Sequence, residues 1–177
     1  MTAPTETTSI KRPKDADAAS PAKKVRKIIA KHGFCSLATV SPDGAPHVVG
    51  VNYKYVKGHL YFITFESSKK ARNIRSNPKV AIHIAVRQYP LHDLFGPPFS
   101  VQFSGSATIL SPDDPEIVEL LESGKLKSIT GHGVLQQPSG CFLKVQPAHE
   151  IHTYGIGIPA LTLIRDVSHG DRTVAVD

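Results

Sequence analysis

The chain has no tryptophan, one methionine, and only two cysteines, Cys35 and Cys141, in 177 residues. Both cysteines fall in apolar, strand-like stretches, which excludes a disulfide framework and points to buried, reduced thiols. No run approaches the ~18 consecutive apolar residues of a membrane-spanning helix. The N-terminus lacks the apolar core of a signal peptide, so a cytoplasmic protein without a membrane partner is expected. Neither GxGxxG nor GxxxxGK[ST] occurs, and Rossmann and P-loop readings therefore have no support. What is present suits one ordinary soluble domain: hydrophobic residues make up 40% and charged residues 20%.

The net charge of +6 is uneven. Residues 1–32 carry eight Lys/Arg against three acids, which leaves the rest near neutral. Residues 1–21 have no periodic apolar face and read as a disordered basic tail. Residues 22–177 read as the single folded domain. Within it, Val25, Ile28, Ile29 and His32 recur at helical spacing, with Gly33 as the stop.

Strand signals follow. Phe34–Val40 is apolar and ends in the turn Ser41-Pro42-Asp43-Gly44. His47–Val56 places Val49, Val51, Tyr53 and Tyr55 on one face and Gly50, Asn52 and Lys54 on the other. Leu60–Phe65, Val80–Val86 and Phe99–Leu110 continue the series, the last with the clearest alternation. A final pair is expected at Cys141–Val145 and His149–Tyr154. Two short helices interrupt: one begins at Ser67 or Ser68 and stops before Asn77-Pro78, the other has Ser111 as N-cap and Pro112 at N1. The expected fold class is mainly β with short helices (α+β), an antiparallel barrel.

The most informative stretch is Glu66–Lys79. From Lys69 to Lys79 there are five basic residues and no acid. Lys69 and Lys70 fall in the first helical turn, the wrong end for a cation beside the positive end of the helix dipole. A bound phosphate would compensate, because free amides, the Ser68 hydroxyl and two ammonium groups would converge on it. A solvated basic helix is the alternative reading of the same pattern.

The ordered segments Phe34–Val40, Ser41–Pro46, His47–Tyr55, Leu60–Thr64, Ser68-Lys-Lys-Ala-Arg-Asn-Ile-Arg75 and Asn77–Val80 resemble the pyridoxamine 5′-phosphate oxidase-like split barrels, and within them the flavin/deazaflavin oxidoreductase branch. The resemblance runs from about residue 24 to 110. It implies an FMN-binding type of split antiparallel β-barrel and a homodimer with cofactor at the interface. It also implies that Ser68, Lys69 and Lys70 hold the cofactor phosphate, with Val49, Gly50, Val51 and Asn52, and Ile63 and Thr64 on the next strand, supporting the ring and ribityl chain. The implied cofactor is FMN or coenzyme F420, a deazaflavin, and the short C-terminal half and the Lys-Ala-Arg-Asn-x-Arg helix look more like the deazaflavin users. The chain lacks the C-terminal Trp and Arg-Leu-x-Pro ending of true pyridoxamine phosphate oxidases, which argues against that activity.

The implied function is hydride transfer to or from a small organic substrate. The alternative is a non-catalytic cofactor- or tetrapyrrole/haem-binding protein. No catalytic residue is named, because the cofactor carries the chemistry. His149 and His152, three apart on a strand, point to opposite faces and cannot share an ion, so no metal site is expected. His83 and Arg87 share a strand face. The connection Gln88–Pro98, with Tyr89, His92 and Phe95, has the length of a binding loop, and Tyr154 is a candidate neighbour of the cofactor ring. A near-neutral body whose basic runs lack interleaved aromatics argues against a nucleic-acid partner.

Overall fold

The computed structural model describes residues 20–86, 99–131, 134–137 and 139–176. Residues 1–19 of the tail expected at 1–21, Arg87 and the connection 88–98 lie outside the described residues, and Ser20 and Pro21 are instead the cap and first residue of the first helix. Among those described, nine strands form one antiparallel sheet: β1 (Phe34–Val40), β2 (Pro46–Asn52), β3 (Lys54–Val56), β4 (His59–Phe65), β5 (Lys79–Val86), β6 (Phe99–Leu110), β7 (Gly140–Pro147), β8 (Glu150–Tyr154) and β9 (Asp171–Ala175). Their order is β2-β1-β5-β6-β7-β4-β3, with β8 added to β6 and β9 to β8. The helices are α1 (Pro21–Lys31), α2 (Lys69–Ser76), α3 (Pro115–Glu122), α4 (Lys127–Thr130) and α5 (Ala160–Arg165).

The two ends of that strand order, β2 and β3, are joined by a single residue, Tyr53. The sheet therefore curls until its edges nearly meet, which makes an α+β split β-barrel. The single strand expected from His47 to Val56 is broken there for a physical reason. Tyr53 donates its buried hydroxyl to the Ile29 carbonyl at 2.7 Å and its amide to the Gly33 carbonyl at 2.8 Å. Those bonds pin the chain to α1, so it leaves β1 and pairs with β4 instead.

Alternation along the strands fills the barrel. Leu37, Ile82, Ile84, Val101, Phe103, Leu143, Val145, Leu60 and Phe62 point inward, and Val25 and Ile29 of α1 close the cluster. Cys35 lies on the inward side of β1, where burial pushes its thiol up to about 12. Cys141 on β7 is also buried, and its thiol is raised chiefly by the same desolvation. At Gly105 the partner of β6 changes from β8 to β7. A Cβ there would sit 2.6 Å from the Gln146 carbonyl, so the crossing requires glycine.

Leu60–Phe65 carries apolar residues on both faces, and the second face is covered within the chain. Tyr61 and Phe142 pack against Ile117 and Leu120 of α3, Leu126, and Ile129 of α4, with Ile63 alongside. Glu116 of α3 ties the helix down, accepting from the Tyr61 hydroxyl and, at 2.7 Å, from the Lys144 ammonium. Helix α3 begins later than expected, because Asp114 rather than Ser111 is its N-cap, with its carboxylate accepting from the Glu116 amide at 2.9 Å. Ser111 instead bonds Asp113 in the preceding turn.

Candidate functional site

Helix α2 begins where β4 ends. Ser68 is its N-cap, accepting from the Ala71 amide at 3.3 Å and from the Thr64 hydroxyl at 3.2 Å. Buried Asn73 donates to the Thr39 hydroxyl at 3.0 Å, and Ile74 enters the core, so the helix is fixed to β1. Asn73 was not among the expected site residues, and it lies beside Ile74 on the buried side of the helix. Arg72 and Arg75 fold back on the preceding turn, Arg72 to the Ser67 carbonyl and Arg75 to the Glu66 carboxylate at 2.8 Å.

The two lysines behave differently. Lys69 is exposed and close enough to Asp43 to help lower that carboxyl, whose main stabilisation is the Ser41 hydroxyl. Lys70 is half-buried, and desolvation pulls its ammonium below the ordinary lysine value. No hydrogen bond or carboxylate among the described residues answers it. A cation held partly out of water at a helix N-terminus, beside a hydroxyl cap, is a place that an anion would stabilise. The residues present thus fit the anionic group of a cofactor.

The other expected residues flank the split. Strand β2 approaches β4 without pairing with it. Their side chains diverge. Val49 and Val51 pack inward on the core, Ile63 turns to the cluster under α3, and Thr64 is buried against Ser68. Gly50 and Asn52 face outward. Tyr154 packs its ring on Gly170, where a Cβ would come within 2.3 Å of it.

The outer face of β2, β1, β5, β6, β8 and β9 carries the second part of the site. Cross-strand register aligns Gly50, Ser36, His83, Gln102, His152 and Thr173 in one row. A neighbouring row holds Val48, Ala38, Ala81 and Ser104. Neither row contains a charged side chain. A cavity of about 350 Å³ lies over both, floored by Ala38 and Ala81 and edged by His83, Gln102 and His152. Val48 and Phe34, at 64% and 60% exposure, are the most exposed large apolar residues described, and both lie on this side. The sequence could place His83 with Ala81 on one strand face, but its alignment with His152, 69 positions on, depends on a register that periodicity does not reveal.

The curled sheet, open between β2 and β3, defines a split β-barrel. Residues 21–149 match the family described as pyridoxamine 5′-phosphate oxidase, and the chain belongs to that family. No curated protein matches the sequence. Among solved structures, the haem storage protein HutZ of Vibrio cholerae is 19% identical with a TM-score of 0.60, over 72% of this chain and 90% of that one. A haem-binding protein of Mycobacterium smegmatis is 16% identical with a TM-score of 0.65, over 90% of this chain and 59% of that one. An FAD-binding protein of Mesorhizobium loti is 23% identical with a TM-score of 0.57, over 72% and 87%. These likenesses establish the fold. No described helix is long and apolar enough to cross a membrane, and no described group of three His, Cys, Asp or Glu residues gathers as for a metal ion.

Proposed function

We propose that this protein binds a planar anionic cofactor against the outer face of its sheet, and that binding of a tetrapyrrole such as haem, without turnover, is its primary role. The observation that carries the reading is the cavity on the outer face, floored by alanines and edged by imidazoles and an amide. Small residues let a flat ring approach the sheet closely, and neutral donors and acceptors suit its edge. Two of the three structural neighbours described above are named for haem, which adds support. Ser68, Lys69 and Lys70 would hold a cofactor's phosphate, the anionic group of the second reading below. A second copy would cover exposed Phe34 and Val48, giving a two-fold dimer around the site.

A second reading is an oxidoreductase using FMN or coenzyme F420, with the deazaflavin preferred, acting on a small organic substrate. It is favoured by the pair of lysines, since a phosphate dianion draws on both, and by the FAD-binding neighbour. Bound, such a cofactor would supply hydride transfer; the protein would position it and exclude water.

Titrating the protein with haemin, FMN and F420, followed by absorbance, separates the readings, and the ligand that saturates identifies the cofactor. Saturation by none of the three would overturn both. In Lys70→Ala, loss of a charge-assisted bond worth ~1.5–3 kcal/mol should weaken binding of a phosphate-bearing cofactor by roughly 10- to 150-fold. Ligand-free stability should move the other way. The Lys70 ammonium is depressed in the folded state, so its charge disfavours folding at neutral pH, and removing it should stabilise slightly. A flat response in both would reduce α2 to a basic surface.

A further inference from the structure

We infer that a second small-molecule site, for an organic carboxylate with an apolar body, lies between α1 and the β8–β9 pair. It is independent of the cofactor reading above. A cavity of about 440 Å³ opens there, within the roughly 300–1,000 Å³ of small-molecule sites. Cross-strand register sets Thr153 opposite Arg172 and Ile151 opposite Val174, so these four share the face turned to α1. The intervening His152 and Thr173 share the other face.

The cavity combines an apolar part with a charged part. Val25 and Ile156 belong to the core, and Val174 packs on it. The charged part is Lys24 of α1 and Arg172 of β9. The Lys24 ammonium lies over the turn that follows β8, where a Cβ at Gly157 would come within 3.1 Å of it. No described carboxylate pairs with either cation. Glu150 and Asp171, the acids of the two strands, alternate onto the opposite face, and α1 has no acid in its first turn. Two cations thus border one cavity near the positive end of a helix with no counter-charge. The Thr153 hydroxyl is committed to the Arg172 carbonyl at 3.4 Å, so the polar hold on a ligand comes from the cations.

A carboxylate answers both of them. The planar Arg172 fork matches its two oxygens, and Lys24 supplies a point charge. An apolar body attached to it would cover Val25, Ile156 and Val174 and take apolar surface out of water on both sides. Inorganic phosphate would meet the charges and leave the apolar wall wet; a neutral hydrocarbon would do the reverse.

The test is calorimetric titration of the full chain with hexanoate and 3-phenylpropionate, each against its own alcohol, hexan-1-ol and 3-phenylpropan-1-ol, and with acetate. One of the two amphipathic carboxylates should saturate at one per chain. Its alcohol and acetate should bind at least about 10-fold more weakly. Arg172→Ala should weaken the carboxylate by about 10-fold or more, and Lys24→Ala by about 3- to 10-fold because it removes a point charge rather than a fork. Arg172→Lys should recover part of the loss. Val174→Phe, which fills the apolar part, should abolish binding with both cations in place. Lys24 and Arg172 are exposed, so truncating them should leave the melting temperature unchanged and keep the affinity losses readable. Lys125→Ala, exposed between α3 and α4, should bind as wild type does and controls for surface charge. Saturation by neither carboxylate, equal binding of carboxylate and alcohol, or full affinity in the Lys24→Ala/Arg172→Ala double variant would overturn the site. None of these results touches the outer-face reading, which haemin and flavin titrations decide separately.

Discussion

The outside of this barrel is built in two ways. Over β4 and β7 it carries Tyr61, Ile63 and Phe142, and the chain covers them itself with α3 and α4. Over β1, β2, β5 and β6 it carries Ser36, Ala38, Gly50, Ala81, His83 and Gln102, with no described helix across them. The strands are alike in length and pairing, so strand propensity does not explain the difference. Large apolar side chains appear where the chain provides the cover. Small, neutral ones predominate on the open half, where Phe34 and Val48 are the exposed exceptions. An uncovered face made of large apolar residues would be an aggregation hazard; one made mostly of small neutral residues can remain open.

The widest separation between the halves should come from paired truncations. Phe142→Ala, at a fully buried position on the covered half, should cost about 3–5 kcal/mol in urea denaturation. Ser36→Ala on the open half should stay within about 0.5 kcal/mol. A comparable cost at Ser36 would break the contrast and show that the open face is packed in solution. The next effect lies at the border, where β6 exchanges β8 for β7. Gly105→Ala drives a methyl against the Gln146 carbonyl, and backbone does not move aside as a flexible side chain would, so a loss of about 1–3 kcal/mol is expected.

The smallest effect sharpens the account of the covered half. The Glu116 carboxyl is held below its ordinary value, first by the Lys144 ammonium and then by the Tyr61 hydroxyl. A carboxyl depressed on folding stabilises the protein at neutral pH and loses that contribution as pH falls through its folded value. Both partners are partly exposed, so the contribution should stay below about 1 kcal/mol. Wild type should exceed Glu116→Gln in stability at pH 7, and the gap should close in acid. A gap that persists unchanged at low pH would mean that the glutamate acts by packing rather than by charge.

Much of the barrel was legible from alternation alone. Phe99–Leu110 coincides with β6, and β5 differs from its expected span by one residue. Alternation reports which way a side chain faces, but not what lies beyond it. Hence the cover over Tyr61 was missed, because α3 and α4 meet β4 only through tertiary packing. The break at Tyr53 was missed because a strand signal continues through it, and the bond to Ile29 that causes it is 24 positions distant. Strand β9 and helix α5 were missed as well; β9 has weak alternation and is held mainly by its pairing with β8. In the candidate site, Ser68 could be read as a cap because capping is local. The row from Gly50 to Thr173 could not, since it is a product of register across six strands.

The buried thiols make the two halves separately observable. Cys35 belongs to β1 on the open half and Cys141 to β7 on the covered half, and both are closed to solvent. Raised as they are, neither sulfur is a competent nucleophile in place, so a thiol reagent must wait for its strand to open. Each cysteine is therefore a clock running at the opening frequency of its own side of the barrel. If the clocks agree, the seam at Tyr53 transmits cooperativity around the sheet; if Cys35 runs faster, the open half breathes alone, and a bound cofactor should slow that clock first.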